Sequence, residues 1–365
     1  MANIEEQVIT HEQVRKGVSL DNDPYQIGAK CLEAGRVKTF LSNPNLDDES
    51  DPLIVYEKVD GEVMGRAMFF PTKTRIGVDY IRSYAGSSLF VHEEARKHML
   101  GASLVMFPIY NKKNTILLYG GMTKMAVDLY KKLKFKIFDI PSVWQIRNFG
   151  PILQRLHFRG FLLNCVSVLG NMLLKPYHFL CRIPIYFLCR RYDIVKLREA
   201  PDWLENIIES DNHKYAECHD KEWFNWIINN NFYGRENDKQ ELYGIYKDKM
   251  PLGFVLVTER EWSVEGDNPY TINFGTVREW GTIDSNLLNE YKIYKIALSL
   301  FSKNVDVVQI STTDNLTREK LHKYGFIDRG SYNIAFRPIG MHLDDDSKNI
   351  SNWRIRSSYS DTCFY

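Results

Sequence analysis

From Leu53 to Phe70 the text LIVYEKVDGEVMGRAMFF is β-rich on both sides of Asp60-Gly61, a dipeptide suited to a tight turn, and it predicts a two-strand hairpin. Before it, residues 1–50 are polar and irregular with an acidic stretch at Asp47-Asp48-Glu49; one early helix is expected around Tyr25 to Leu41. After it, a third strand precedes His92, and a helix follows Gly101 and is bent or ended near Pro108. NTILLYGG (residues 114–121) reads as a short buried strand stopped by two glycines. Thr123 can cap the next helix, whose apolar positions Met125, Ala126, Leu129, Tyr130 and Leu133 share one face at helical periodicity; a last strand begins at Phe135.

Residues 141–192 differ in kind. They hold Arg147, Arg155, Arg159, Lys175, Arg182, Arg190 and Arg191, no acidic residue, and many Leu, Phe and Cys. The apolar run FLLNCVSVLGNMLL (residues 161–174) is shorter than the roughly 18 to 20 residues that a spanning helix needs. Two readings stay open for this connector: a pair of packed helices, or a Leu/Phe face with basic flanks lying in a membrane interface.

Beyond it the earlier pattern returns. ELYGIYKDKMPLGFVLVTER is a strand, turn, strand unit; NLLNEYKIYKIALSLF is a helix with Leu287, Tyr291, Tyr294, Leu298 and Phe301 on one stripe; VDVVQIST is a strand, and a capped helix runs from about Asn315 to Tyr324. From Gly340 a polar tail carries Asp344-Asp345-Asp346, Trp353 and several tyrosines.

At 365 residues two domains are the natural expectation. A formal net charge of +1 argues against a nucleic-acid binder driven by bulk charge. The six cysteines show no CxxC pair and the N-terminus has no basic-then-apolar signal, which points to a reducing, cytoplasmic setting.

The chemistry concentrates in FVHEEARKHMLGASLVMF (residues 90–107). An anion held at a helix N-terminus needs backbone N–H groups pointing one way, a nearby cation and little side-chain bulk. Arg96, Lys97, His98 and Gly101 meet that specification and Met99 strains it. Glu93 and Glu94 read as first-turn carboxylates, or one of them, Glu93, as a base acting through water. His98 has no partner at ligand spacing, so no metal is expected.

Strand, VHEEARKHMLG, helix, strand TILLYGG, then helix AVDLYKKLKF resembles the GCN5-related N-acetyltransferase (GNAT) superfamily over roughly Leu53 to Trp144; VDVVQIST with REKLHKYGF looks like a second such unit over about Ile194 to Arg337. ECHDKEWFNWIINN also resembles the C-terminal halves of tandem GNAT proteins encoded among bacterial surface-polysaccharide functions. The resemblance implies an α/β (α+β mixed sheet) fold of two GNAT-like units in tandem, each a central mixed sheet flanked by helices. The expected division is an N-terminal domain at 1–148, an apolar basic connector at 149–192, a degenerate C-terminal domain at 193–340 and a polar tail at 341–365.

It further implies acetyl-CoA or another acyl-CoA as co-substrate, seated along Val91, Arg96, Lys97, His98, Met99, Leu100, Gly101 and Ala102, with Arg96 and Gly101 on the family's motif and Met99 in place of its first glycine. Tyr130 falls on the tyrosine that protonates the leaving thiolate, and Lys134 replaces the glycine before Phe135. The second unit lacks the phosphate turn and carries Leu321 at the tyrosine position; it is expected to wall off the acceptor side, with Glu279 and Asp284 lining the pocket for a small-molecule primary amine such as an amino sugar, or else holding structural places, as His322 does at the surface. Localisation is expected to be cytoplasmic, with peripheral contact at the inner face of the membrane through 149–192 if the interfacial reading holds. Two rival readings are a non-catalytic GNAT-derived scaffold and an aminoacyl-tRNA-dependent transferase.

Overall fold

The computed structural model describes residues 2–20, 22–158, 160–264 and 269–364. In chain order the elements are β1 (Ile4–Thr10), α1 (His11–Arg15), α2 (Ala34–Leu41), β2 (Pro52–Val59), β3 (Glu62–Ile76), β4 (Asp79–Val91), α3 (Leu100–Asn111), β5 (Thr115–Gly120), α4 (Lys124–Lys132), β6 (Lys136–Ile146), α5 (Phe149–Arg155), α6 (Gly160–Cys189), β7 (Asp193–Leu197), α7 (Asp202–Glu209), β8 (Tyr215–Glu217), α8 (Lys221–Asn229), β9 (Lys239–Lys247), β10 (Met250–Val264), β11 (Tyr270–Thr282), α9 (Glu290–Leu300), β12 (Val307–Ser311), α10 (Asn315–His322), β13 (Phe326–Ile339) and β14 (Trp353–Arg354).

Two compact units form, and they do not follow chain order. Unit 1 gathers Met1–Phe138, Asn212–Gly234 and Asn333–Tyr365; unit 2 gathers Asp139–Asp211 and Arg235–Tyr332. The expected boundaries at 148, 192 and 340 are therefore replaced by an exchange of segments.

In unit 1, β1 to β4 form an antiparallel meander, β4 and β5 run parallel, and the end of β13 lies antiparallel to β5. The hairpin at Asp60 and Gly61 forms as expected, both residues at positive φ (51° and 87°), the conformation that a two-residue primed turn requires. β1 was not expected: its sequence is largely polar, and Ile9 is its one buried residue. The single helix expected from Tyr25 to Leu41 is a 3₁₀ turn over Ala29–Leu32 and then α2. Asp23 delays the start, because its carboxylate accepts the N–H groups of Ile27, Gly28 and Ala29 at 2.7 to 2.9 Å and competes with helical bonding there, and the break before α2 falls at Glu33, whose ψ of 137° is extended. Pro108 does not end α3, which continues to Asn111. On α4 the cap by Thr123 holds, while Met125 is exposed and Val127 takes a buried place.

The returning segments are drawn into unit 1 by aromatic packing. Trp226 of α8 lies 6.3 Å from Phe70 and donates its indole N–H to the Thr39 carbonyl at 2.8 Å; Phe364 stacks on Phe232 at 4.5 Å. The supposed polar tail is thus core, since residues 357–364 are buried.

Unit 2 repeats the order. β9, β10 and β11 form an antiparallel meander extended by β7, β11 runs parallel to β12, and β6 from Ser142 lies antiparallel to β12. β11 escaped the sequence reading because Arg278 and Glu279 interrupt its apolar alternation, yet both are buried. The stripe on α9 begins inside the helix, with Ile293 and Tyr294 buried, while of the two leucines before it Leu288 is buried and Leu287 exposed. The connector becomes α5 and the 30-residue α6, and among the described residues no helix is long and apolar enough to cross a membrane. Arg159, one of its seven basic residues, lies outside the described residues.

Candidate active site

The segment singled out for an anion is a 3₁₀ turn over Glu93–His98 that runs at once into α3. Met99 joins the two at φ 62° and ψ 21°, in the left-handed region. A non-glycine residue held there stores about 1 to 3 kcal/mol. Met99 thus holds the backbone shape for which glycine is used, and its side chain stands 72% exposed. Lys134, the second departure from the glycine pattern, does the same at φ 61°.

No side chain caps α3. The amides of Ala102 and Ser103 turn back to the Met99 carbonyl at 2.9 and 3.3 Å, and those of Leu100 and Gly101 come before the first intrahelical acceptors. A Cβ placed on Gly101 would meet Val91 and Leu129 only at 3.7 and 3.8 Å. The chain's own packing therefore does not demand glycine there, and its bareness matters only to something arriving from outside. Arg96 and Lys97 are exposed, His98 is half-buried, and Leu100 is packed against Met64 and Ala95, so Leu100 offers its backbone alone.

A cavity of about 410 Å³ lies beside the β4 and β5 ladder, which pairs Ser83 to Ala85 with Ile116 to Leu118. Ser87, Tyr119, Thr123, Tyr130, Asp361 and Thr362 are on its wall. Gly86 makes room for it: a Cβ there would stand 1.9 Å from the Tyr119 ring. Tyr119 and Tyr130 pack with ring centroids 4.5 Å apart, and Phe135 lies against Tyr130 edge-on at 4.9 Å. Burial raises the Tyr130 pKa well above its ordinary value, and the neighbouring Tyr119 and Asp361 add to the rise, so the hydroxyl keeps its proton at neutral pH.

Asp361 and Thr362 come from the segment that the sequence reading set aside as a tail. Glu217 of β8 fixes that segment, accepting the Ser360 N–H at 2.5 Å and the Thr72 hydroxyl at 3.1 Å, while the Ser360 hydroxyl donates to the Leu118 carbonyl at 3.2 Å. The signal was present in Trp353, Ile355, Tyr359 and Phe364, an aromatic density that solvated tails do not carry.

Of the two expected catalytic residues, only Tyr130 reaches this cavity; Glu93 is exposed in the first turn of the 3₁₀ segment. The expected acceptor carboxylates are taken up by unit 2 itself. Glu279 is fully buried in β11 and accepts the Trp280 N–H at 3.0 Å, and Asp284 holds a turn by accepting from Asn286 and Leu287 at 2.8 and 3.3 Å. His322 is on the surface, 3.3 Å from Asp328.

Sequence reasoning also missed Glu57. It lines a hollow of about 550 Å³ beside α3 with Glu6, His98, Met99 and Ser103. The residue is 1% exposed and, among the described residues, its Oε2 has no hydrogen-bond partner. Burial pushes its pKa to about 7; the Ser103 hydroxyl pulls the other way and Glu6 adds to the rise. Among the described residues no group of three or more His, Cys, Asp or Glu side chains is arranged to hold a metal ion.

No family model matches the chain, and no curated protein matches it in sequence. Solved structures do resemble it. A GCN5-related N-acetyltransferase from Anabaena variabilis superposes with a TM-score of 0.53 at 10% identity, over 92% of this chain and 73% of that chain. Saccharomyces cerevisiae N-myristoyltransferase, solved with bound myristoyl-CoA, gives 0.55 at 13% identity over 94% and 86%. The chain therefore has the mixed α/β fold, sheets flanked by helices, that the GNAT structures and N-myristoyltransferase share.

Proposed function

We propose that the protein transfers an acyl group from an acyl-CoA to a primary amine, with the co-substrate bound in unit 1. One observation carries the reading: an uncapped helix start with a bare Gly101 and the Tyr130 cavity both belong to the strand, helix, strand, helix segment that makes up the acyl-CoA half of the GNAT motif. The neighbours in fold add support, one of them solved with myristoyl-CoA. The amides at the start of α3, with Arg96 nearby, meet the pyrophosphate, where a dipole and free donors favour an anion.

The amine nitrogen attacks the thioester carbon, a carbon–nitrogen bond forms and the carbon–sulfur bond breaks. Backbone N–H near Val91 polarises the carbonyl, the Tyr130 hydroxyl gives its proton to the departing sulfur, and the Asp361 carboxylate takes the proton that the amine sheds and returns it to the tyrosinate, so that both side chains end as they began. Holding amine and thioester in contact contributes several kcal/mol more. Unit 2 has no comparable helix start and does not bind CoA.

Calorimetric titration with acetyl-CoA and with longer acyl-CoAs tests the reading. Binding to the wild type that fails in Arg96→Ala supports it. No heat from any acyl-CoA would overturn it and leave the scaffold reading in place.

A further inference from the structure

Helix α6 buries one narrow stripe and exposes the rest. Leu163, Ser167, Gly170, Leu174, His178, Cys181, Ile185 and Leu188, spaced by three and four, form a half-buried or buried stripe in unit 2, joined by Cys165, Asn171 and Cys189 outside that spacing, and Ile185 enters the unit's core. Gly170 lets α5 approach, since a Cβ there would meet the Phe149 ring at 2.5 Å. The opposite face is apolar and bare: Phe161, Leu169, Met172, Phe179, Ile183 and Phe187 are all exposed, Phe161 at 84%. They recur along some 26 residues, about 40 Å of helix. A face of that extent left in water marks a surface made for something apolar.

Charge says what. No acidic residue occurs between Asp139 and Asp193. Along one edge of α6, Lys175 and Arg182 sit two turns apart. With Arg147, His178 and Lys303 they line a cavity of about 300 Å³ whose wall contains no carboxylate and includes Phe179 of the apolar face. Arg147 is held there by donating to Gln145 at 3.1 Å and to the Leu298 carbonyl at 3.0 Å, and among the described residues its buried Nη1 has no partner. Burial first, and then the neighbouring Arg182, lower its pKa to about 10, with the Glu259 carboxylate offsetting part of the shift.

We propose that α6 docks on an anionic lipid bilayer, its apolar face among the acyl chains at the interface and a lipid phosphate in the cavity beside Lys175, Arg182 and Arg147. A protein partner would be expected to answer the apolar face with its own; only a bilayer with anionic headgroups answers face and basic edge together. The lysine, arginine and two internal prolines of α6 keep it at the surface rather than across the membrane. The proposal stands whether or not unit 1 transfers an acyl group.

Flotation of the full-length protein tests it. With vesicles of equal parts phosphatidylglycerol and phosphatidylcholine at low salt the protein floats, and high salt or pure phosphatidylcholine lowers the floating fraction several-fold. Leu169→Glu with Phe179→Glu abolishes flotation; Lys175→Glu with Arg182→Glu removes the preference for phosphatidylglycerol and leaves the weak binding to pure phosphatidylcholine. Val168→Glu with Leu173→Glu serves if the first pair does not fold, as judged by circular dichroism. Excess inorganic phosphate leaves flotation on the mixed vesicles intact; release by phosphate alone would assign the cavity to a free anion and overturn the lipid reading. Wild-type protein that stays at the bottom, or a dimer by light scattering that Leu169→Glu with Phe179→Glu splits, also overturns it.

Discussion

In unit 1 the helix after the third strand of the repeat begins at Leu100 with no side chain over its first amides, whereas its counterpart in unit 2 begins at Glu290 with the Asn289 carboxamide accepting the Lys292 N–H at 3.0 Å. The topology is the same and the chemistry is opposite. A capped helix has spent its donors on itself, and an anion would have to displace a bond already made. On the proposed reading the uncapped one keeps them for a ligand. The helix that follows shows the same division: Tyr130 and Leu321 are both core, at 2% and 0% exposure, but only the tyrosine brings a hydroxyl to a cavity. The repeated architecture thus packs alike in both units, and the proposed chemistry falls to one.

The largest effect should come from filling the open helix start. Gly101→Asp places a carboxylate where the phosphate is expected, and acyl-CoA affinity should fall by more than about 100-fold, roughly 3 kcal/mol. Asn289→Ala in unit 2 should lower stability by about 1 kcal/mol, the ordinary worth of such a cap, and leave binding unchanged. Titration and urea unfolding of both variants read the contrast. Equal isotherms for Gly101→Asp and the wild type would erase it.

Next is the tyrosine. Tyr130→Phe should cut single-turnover acyl transfer by about 10² to 10⁴, the range of a positioned acid, with acyl-CoA affinity nearly unchanged because the ring still fills the core. Leu321→Tyr should add no activity, since no open helix start accompanies it. Full turnover in Tyr130→Phe would remove the acid role and leave binding at Gly101 to stand on its own.

How much of this was legible depends on how local the signal was. The hairpin at Asp60-Gly61, the cap at Thr123 and the buried strand before Gly120 each announce themselves within a few residues, because turn geometry and amide satisfaction are local requirements. Tyr130 was singled out through the family resemblance of its helix, and its burial beside the cavity is what the structure adds. Asp361 was not, because its place depends on Glu217, 144 positions earlier in the chain, holding Ser360 in a left-handed turn (φ 57°). Nothing near Asp361 in the sequence states that partnership. Glu57 was missed for a related reason: an acidic residue in a strand reads as solvent-facing until α3 is known to cover it. Glu279 and Asp284 erred the other way, since carboxylates beside a presumed pocket can equally close turns and strands.

The buried Glu57 sharpens the comparison through stability. Its carboxyl titrates near 7 in the folded chain against an ordinary 4.5, so the folded state favours the protonated form. The associated stability is complete below pH 4.5 and is lost as pH rises through 7. Glu57→Gln should therefore be nearly neutral at pH 4 and stabilise by about 1 to 3 kcal/mol at pH 8, read by urea unfolding at both values. In unit 2 the buried positions of α9 are all apolar apart from the Tyr294 hydroxyl, and variants there should show no such pH dependence. A gain from Glu57→Gln that is the same at both pH values would show that the carboxyl is solvated after all.

The smallest effects concern the left-handed positions that unit 1 fills without glycine. Unit 2 ends α10 with Gly325 at φ 78°, and unit 1 ends α4 with Lys134 at φ 61°, so the same left-handed stop is made once with glycine and once without. Left-handed backbone costs an L residue about 1 to 2 kcal/mol, and glycine returns roughly 0.5 to 1 of that by widening the unfolded ensemble. Lys134→Gly and Met99→Gly should each stabilise by about 0.5 to 1 kcal/mol in urea. The two part company in ligand binding: only Met99 adjoins the open helix start, so Met99→Gly should tighten acyl-CoA binding several-fold while Lys134→Gly leaves it as it was. Equal tightening in both would trace the effect to general stiffening of unit 1. Weaker binding in Met99→Gly would mean that the exposed methionine touches the co-substrate, and that its arrival at a glycine position was an adaptation to the ligand rather than a strain tolerated beside it.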